Sequence, residues 1–345
     1  MNTGKIIYKL CIGLLFGLSL FIANPQYAVA DETNTVAYVG ETTVTLNDGA
    51  VVSIEEYERA TGQKISTAGS NVAALDTATA TGSTTALNTA SVSISSNSGP
   101  TVDLVIFSGQ SNMTGHGGNA VPSPQVPKGH GYEFKSGAVT AGMYAAKDPF
   151  GSSAYGSFSD EAIYRLGTLV PSFMNAYYNS TGVPVLGLSC AKCGSTLDYW
   201  GSSIVQADYL SQVNAARAWC AANNVNIRHQ YIVWLHGETD SSYGMTGEEY
   251  TSRLKQVMQP MLNNGIEQVF IITIGNNTDF PGKYVTIANA QKQLCAESPS
   301  FSLGSDLLSN LPDSYLTDSV HFNQDALNQV GTACGSTVAA YTLAR

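Results

Sequence analysis

The sequence is poor in charge. Only 12% of its 345 residues are Asp, Glu, Lys or Arg, and acids outnumber bases 26 to 16. The net charge of -10 repels nucleic-acid phosphates and anionic lipid headgroups, which argues against both as partners. Beyond the N-terminus no apolar run is long enough to span a bilayer. No Gly-x-Ser-x-Gly elbow occurs, which disfavours the usual lipase-type arrangement. Cys190-x-x-Cys193 has neither a second Cys-x-x-Cys nor a His pair to complete the four ligands of a structural zinc site, so no metal is expected.

The one long apolar run opens the chain. Lys5 and Lys9 precede Leu10 to Ala23, and Ala28-Val29-Ala30 forms a small-x-small site before Asp31. This is a secretory signal peptide pattern, with cleavage expected after Ala30, export, and no membrane contact afterwards. A retained anchor fits the short run and the Ala-x-Ala less well. Cys11 leaves with that segment. Cys190, Cys193, Cys220, Cys295 and Cys334 remain, an odd number, so at least one is unpaired or pairs between chains. An exported protein suits a disulfide or plain buried thiols, and the spacing leaves the pairing open.

Residues 31–66, 67–100 and 101–345 differ in character. In the first, Asn47-Asp48-Gly49 is a hairpin-turn signal between alternating apolar residues. Ser53 to Glu56 resembles a helix start and Gly62 a stop, giving a small ββα element too short for its own core. Contact with a cell surface or a partner is one role open to it. The second is an Ala/Thr/Ser-rich stretch without aromatics, read as a disordered linker.

From residue 101 short apolar runs alternate with helix-like segments. Strands are expected at Val102–Phe107, Val183–Leu188, Gln230–Leu235 and Gln268–Ile274, with a weaker one near Phe301–Leu303. Helices are expected at Asp160–Tyr178, Gln206–Asn223, Gly247–Asn263, Lys283–Glu297 and Gln324–Leu343. The strand runs are Val/Ile-rich and continuous, as strands covered on both faces should be. Such alternation predicts an α/β fold with a mainly parallel sheet. Residues 114–159, rich in Gly, Pro and Ser, read as a long irregular insertion.

Ligands of parallel sheets bind outside the carboxyl ends of the strands. Those ends read Gly109-Gln110-Ser111-Asn112, then Ser189 to Thr196, then His236-Gly237-Glu238-Thr239-Asp240, then Gly275-Asn276-Asn277; late in the chain comes Asp318-Ser319-Val320-His321. Ser111 needs a base to act as a nucleophile. Of five histidines, His321 has an acid, Asp318, three residues before it. A carboxylate there can fix the imidazole tautomer and stabilise the imidazolium. A loop turn with a surface ion pair is the bland alternative. The serine turn after the first strand and the final helix after the histidine tip the reading to a catalytic set.

These residues carry a family likeness. Gly109-Gln110-Ser111-Asn112-Met113, Gly194-Ser195-Thr196 with Trp200 after it, Trp234 to Asp240, and Asp318 to His321 occur in order. The domain resembles the SGNH (GDSL-like) hydrolases, and among them the sialate O-acetylesterase and acetylxylan-esterase-related carbohydrate esterases. The resemblance implies a flavodoxin-like three-layer α/β/α fold and a serine esterase mechanism without metal or other cofactor. It implies Ser111 as nucleophile, His321 as base and Asp318 as its orienter. It implies an oxyanion hole from the Ser111 and Gly194 backbone N–H groups and a side chain of the third block. That side chain is usually Gln; here it is His236, whose imidazole N–H is expected to donate instead, a packed histidine whose donor role lies elsewhere being the alternative.

Gln110 and Asn112 flank the nucleophile and are expected to fix its turn or to bind substrate. Trp200, with Tyr199, stands equally for core or for a sugar platform. His116 and Gly117 belong to a loop beside Ser111. Glu238 is a substrate-contact candidate, and Glu238 with Asp240 also reads as the carboxylate pair of a glycosidase. The preferred reading is that both bond neighbouring loop backbone. The leading function is a secreted carbohydrate O-acetylesterase with an acetylated carbohydrate as partner. The alternatives are a general short-chain esterase and a non-catalytic glycan-binding protein on the same fold; a binder needs none of Ser111, Asp318 and His321.

Overall fold

The computed structural model describes residues 36–39, 43–46, 51–53, 99–117, 121–137 and 139–345. The expected signal peptide, nearly all of the expected linker and the small helix expected after Ser53 lie outside them. Two compact units divide at residue 95. In the first, β1 (Val36–Val39), β2 (Thr43–Leu46) and β3 (Val51–Ser53) form an antiparallel sheet in that order. Thr45 pairs with Val51, on either side of the Asn47-Asp48-Gly49 sequence signal; strand β1 carries no comparable signal.

The second unit is a seven-stranded sheet. Its strands are β4 (Thr101–Gly109), β5 (Gly131–Lys135), β6 (Gly142–Ala145), β7 (Val185–Ala191), β8 (Asn226–Leu235), β9 (Gln268–Ile272) and β10 (Phe301–Ser305). Their order is β10-β9-β8-β4-β7-β5-β6, parallel throughout except for the β5–β6 edge pair. Strand β4 shows why the apolar runs are continuous. Leu104 and Ile106 face one helical layer, Val105 and Phe107 the other, and all four are buried. The first layer holds helices Ser203–Ala222, Gly247–Asn263 and Val285–Glu297, through Tyr209, Val213, Leu254 and Ile287. The second holds Val170–Thr181 and Gln324–Leu343, through Phe173, Tyr177, Leu327 and Val330. This is the three-layer α/β/α arrangement that the resemblance implied. No helix among the described residues is long and apolar enough to cross a membrane.

Two expectations need correction. The stretch 114–159 is not wholly irregular, because β5 and β6 lie in it. Residues 160–178 are not one helix. A 3-10 turn spans Ala162–Tyr164, and the helix opens only at Val170, with Pro171 in its first turn. Proline lacks the N–H that would bond back one turn, so it starts a helix more readily than it continues one. All five described cysteines are free thiols.

Candidate active site

The chain leaves β4 for the edge strands, returns to β7 on one side of β4, then crosses to β8 on the other. This makes the carboxyl end of β4 the topological switch point, where open α/β sheets place their ligands. Ser111 follows that end directly. The turn before it is tied to both neighbours: the Lys192 N–H donates to the Gly109 carbonyl (2.9 Å), and the Gln110 N–H donates to the Leu235 carbonyl (3.0 Å). Gly109 has φ +143°, and a Cβ there would stand 1.9 Å from the Leu235 carbonyl oxygen. Only glycine lets β4 and β8 meet this closely while the chain turns.

Gln110 and Asn112 are buried, with 3% and 1% exposure, and both reach the stretch Gly237 to Thr239. Gln110 Oε1 accepts from the Gly237 N–H (3.1 Å), and its Nε2 donates to Thr239 Oγ1 (3.2 Å). Asn112 Nδ2 donates to Glu238 Oε1 (2.8 Å) and to the Val320 carbonyl (3.2 Å), while its Oδ1 accepts from the Phe322 N–H (3.1 Å). Asn112 therefore grips the chain on both sides of His321 and locks that loop beside Ser111. Both amides spend their polar groups inside the protein, which gives them a framework role rather than substrate contact.

His321 and Asp318 sit on the loop so held. His321 Nδ1 is 2.7 Å from Asp318 Oδ2, and Asp318 Oδ1 accepts from the Val320 and His321 N–H groups, both at 2.8 Å. Partial burial pushes the Asp318 carboxyl up. The bonds from the His321 ring and from the two backbone N–H groups outweigh it and hold the carboxyl below its ordinary range. An ionised Asp318 accepts the hydrogen bond of Nδ1–H and so leaves Nε2 as the basic nitrogen. Among the described residues Nε2 has no hydrogen-bond partner.

Gly194 ends the β7 loop in the left-handed region (φ +63°), and a Cβ there would meet nothing within 4 Å. Its N–H and that of Ser111 take no partner among the described residues. A buried arginine that the sequence did not single out sets this loop. Arg165 donates to the Ala191 carbonyl (2.9 Å) and to Ser189 Oγ (3.1 Å), and it pairs with Asp160 at 3.5 Å. Asp160 also takes the Cys193 N–H (3.2 Å) and the Lys192 ammonium (2.8 Å). No motif marks Asp160 or Arg165; the only signal is a charged pair in a nearly uncharged stretch.

Three expected site residues stand elsewhere. His236 is fully buried, and its Nε2 lies 3.1 Å from the Ser195 carbonyl, an acceptor only. Nε2 therefore carries the proton and spends it on backbone, so His236 is not an oxyanion donor. Burial drives its pKa down to about 3 against the raising effect of that bond, which leaves the ring neutral. Trp200 has no exposure. It packs between Phe158, Tyr209 and Trp234 and donates from Nε1 to Ser195 Oγ (2.9 Å), so it is core and not a sugar platform. Glu238 is 4% exposed and bonded to Asn112, and burial pushes its carboxyl up. Asp240 accepts from the Leu197 N–H through both oxygens (3.1 and 3.2 Å). Asp240 thus bonds loop backbone, as the preferred reading had it, whereas Glu238 bonds the Asn112 side chain instead.

Fold and site together define a hydrolase of the SGNH type. The family model for carbohydrate esterase, sialic acid-specific acetylesterase, matches residues 101–340, and the chain belongs to that family. It is a carboxylic ester hydrolase. A protein of solved structure from Arabidopsis thaliana is similar over 70% of this chain and 99% of its own, at 18% identity and a TM-score of 0.52. A carbohydrate acetylesterase from Xanthomonas citri is similar at 14% identity and a TM-score of 0.42, covering 70% of this chain and 57% of its own. An acetyl xylan esterase from Geobacillus stearothermophilus is similar at 10% and 0.39, covering 68% and 92%. No curated protein sequence matches the chain.

Proposed function

We propose that the protein is a secreted serine esterase that removes O-acetyl groups from carbohydrates, of the sialate or xylan type, through an acetyl-serine intermediate. The observation that carries this reading is the Asn112 clamp. It binds the loop bearing the Asp318–His321 pair to the serine turn at the switch point of the sheet. In this reading Ser111 Oγ attacks the acetyl carbonyl carbon and passes its proton to His321 Nε2. The oxyanion accepts from the Ser111 and Gly194 N–H groups, donors fixed before the reaction begins. Collapse expels the sugar oxygen, which takes the proton back from His321. Water then repeats the attack on the acetyl-serine and releases acetate.

Exposed aromatics support a carbohydrate substrate. Tyr164 is 40% exposed, and its ring lies 6.1 Å from that of His116, which stacks on His321. Phe280 is 60% exposed, on a loop joined to the His321 loop by the Thr278 N–H to the Ser319 carbonyl (3.0 Å). Such rings suit the apolar faces of sugars, whereas p-nitrophenyl acetate needs neither. Export after cleavage at Ala30, and a cell-surface contact through residues 31–66, complete the proposal and rest on the sequence pattern.

The test is acetate release from p-nitrophenyl acetate, acetylated xylan and O-acetylated sialic acid, beside Ser111→Ala. Release that vanishes in the variant supports the serine mechanism, and the preferred substrate names the sugar. Release only from p-nitrophenyl acetate would make it a general short-chain esterase. No release from any of the three would leave a glycan binder. Tyr164→Ala should raise KM for the acetylated glycan and leave the p-nitrophenyl acetate kinetics unchanged.

A further inference from the structure

His116 plays no part in the reaction as written, yet its ring lies flat on that of His321. The centroids are 4.0 Å apart and the planes 6° from parallel. Its Nε2 is 3.2 Å from Cys193 Sγ, and that sulfur is 3.3 Å from Thr114 Oγ1. Thr114 spends its single hydroxyl proton on the Ser111 carbonyl (3.0 Å). Oγ1 can then only accept from the thiol, and the sulfur is left to accept from His116 Nε2–H. One chain of hydrogen bonds results: the His116 ring donates to the Cys193 sulfur, the thiol to the Thr114 hydroxyl, and that hydroxyl to the Ser111 carbonyl.

We propose that His116 is a positioning residue for His321, held flat against it by the Cys193 thiol and thereby tied to the backbone of Ser111. The inference rests on the esterase reading for its kinetic consequences and on geometry alone for the stack. Asp318 is largely exposed and holds only one edge of the His321 ring. Without a face to lie on, that ring can tilt about its Nδ1 bond, and Nε2 leaves the serine. A neutral ring underneath also favours the imidazolium that forms when His321 takes the proton, because its π face attracts a cation. His116 must be uncharged for this. Burial, and then the neighbouring His321, push its pKa down to about 4 against the pull of Asp318 and Asp160. Among the described residues the other groups at its edge are Tyr164 and Cys193, and burial pushes the Cys193 thiol up, toward its protonated form.

The experiment compares His116→Ala, His116→Phe, Cys193→Val and Cys193→Ser in the full chain, with p-nitrophenyl acetate kinetics and the NMR signal of the His321 Cε1–H. His116→Ala should lower kcat by about tenfold or more at nearly constant KM, part of the roughly 10²–10⁴ that a positioned general base supplies. His116→Phe should recover only part of that loss, since it restores a ring but not the bond to Cys193. Cys193→Ser keeps one donor and one acceptor and should recover what Cys193→Val loses. The His321 Cε1–H signal should move in His116→Ala as the ring current disappears. A kcat within twofold of the parent, a loss confined to KM, or an unmoved His321 signal overturns the proposal. Should His116→Ala fail to fold, Cys193→Val tests the same chain from its other end. If the parent releases no p-nitrophenol, the esterase reading fails, and the NMR signal still decides whether His116 orders His321.

Discussion

Two histidine–carboxylate pairs stand near the carboxyl ends of the strands. His236 and Asp240 are four residues apart, with Nδ1 3.6 Å from Oδ2 and both side chains buried. His321 and Asp318 are three apart, 2.7 Å from each other, on a loop where the carboxylate is 53% exposed. The spacing is nearly the same and the chemistry is opposite. His236 has its Nε2–H committed to the Ser195 carbonyl and its ring kept neutral by burial, so it can neither take a proton nor offer one to a ligand. His321 keeps Nε2 unengaged among the described residues, while Asp318 fixes the other nitrogen. An acid nearby does not make a histidine a base. A free nitrogen and an open position are also needed, and of these two pairs only His321 with Asp318 has both.

The sharpest way to break this comparison is to make the same change at both histidines. His321→Gln should lower kcat by about 10³ or more, since Ser111 loses its base. His236→Gln should leave kcat within a few-fold, because a glutamine amide can still donate to the Ser195 carbonyl. Equal losses at both positions would show that His236 belongs to the oxyanion hole after all. Asp318→Asn comes next. Its Oδ1 can still accept the two backbone N–H groups, but its NH₂ cannot accept the His321 Nδ1 proton. The wrong tautomer follows, with a loss of about 10²–10⁴ in kcat. Asn112→Ala should cost less, about tenfold in kcat, by freeing the Val320–Phe322 backbone. It should also lower stability by about 1–3 kcal/mol, because Glu238 and the Phe322 N–H are left unpaired. A melting curve and initial rates on one preparation separate the two effects.

Most of the sheet was legible because burial on both faces leaves a strong local mark. The runs at Val102 and Gln230 lie within strands that extend only a few residues beyond them, and the run at Gln268 starts with β9 but overshoots its end at Ile272. Strands β5 and β6 were not legible. They form an edge pair of mixed composition, Gly131–Lys135 and Gly142–Ala145, with half-polar faces that look like loop. At the site, Ser111, Asp318 and His321 stand out because the chemistry proposed for them needs particular residue types at particular places. The roles of Trp200 and His236 did not stand out. Whether a side chain at a strand end points to the rim or back into the core depends on packing from helices distant in sequence. Trp200 is enclosed by Phe158, Tyr209 and Trp234, three residues from three other segments. The His116–Cys193 contact spans 77 residues and belongs to no motif.

The smallest expected effect sharpens the comparison most, because it reads the buried pair without any substrate. Folded His236 resists protonation down to about pH 3, whereas the unfolded side chain takes a proton near 6.5. Between those values the unfolded state binds more protons, so acidification destabilises the fold by up to about 1.4 kcal/mol per pH unit through this group. His116, with its pKa near 4, acts in the same direction. Asp240 acts in the opposite one. Burial raises its pKa from 3.8 to about 6 against the Leu197 N–H, so in that window the folded carboxyl holds a proton that the unfolded one has released. Acidification through the window therefore returns stability. Denaturant unfolding of His236→Gln and of Asp240→Asn, each against the parent from pH 7 to 4, should show the two differences diverging. The glutamine variant gains relative to the parent as pH falls, and the asparagine variant loses. Parallel curves for His236→Gln and the parent would mean that His236 is already solvated or charged at neutral pH, and the contrast with His321 would collapse. The pH–rate profile of His236→Gln should meanwhile superimpose on that of the parent, since a ring bonded to Ser195 has no proton to lend to an oxyanion.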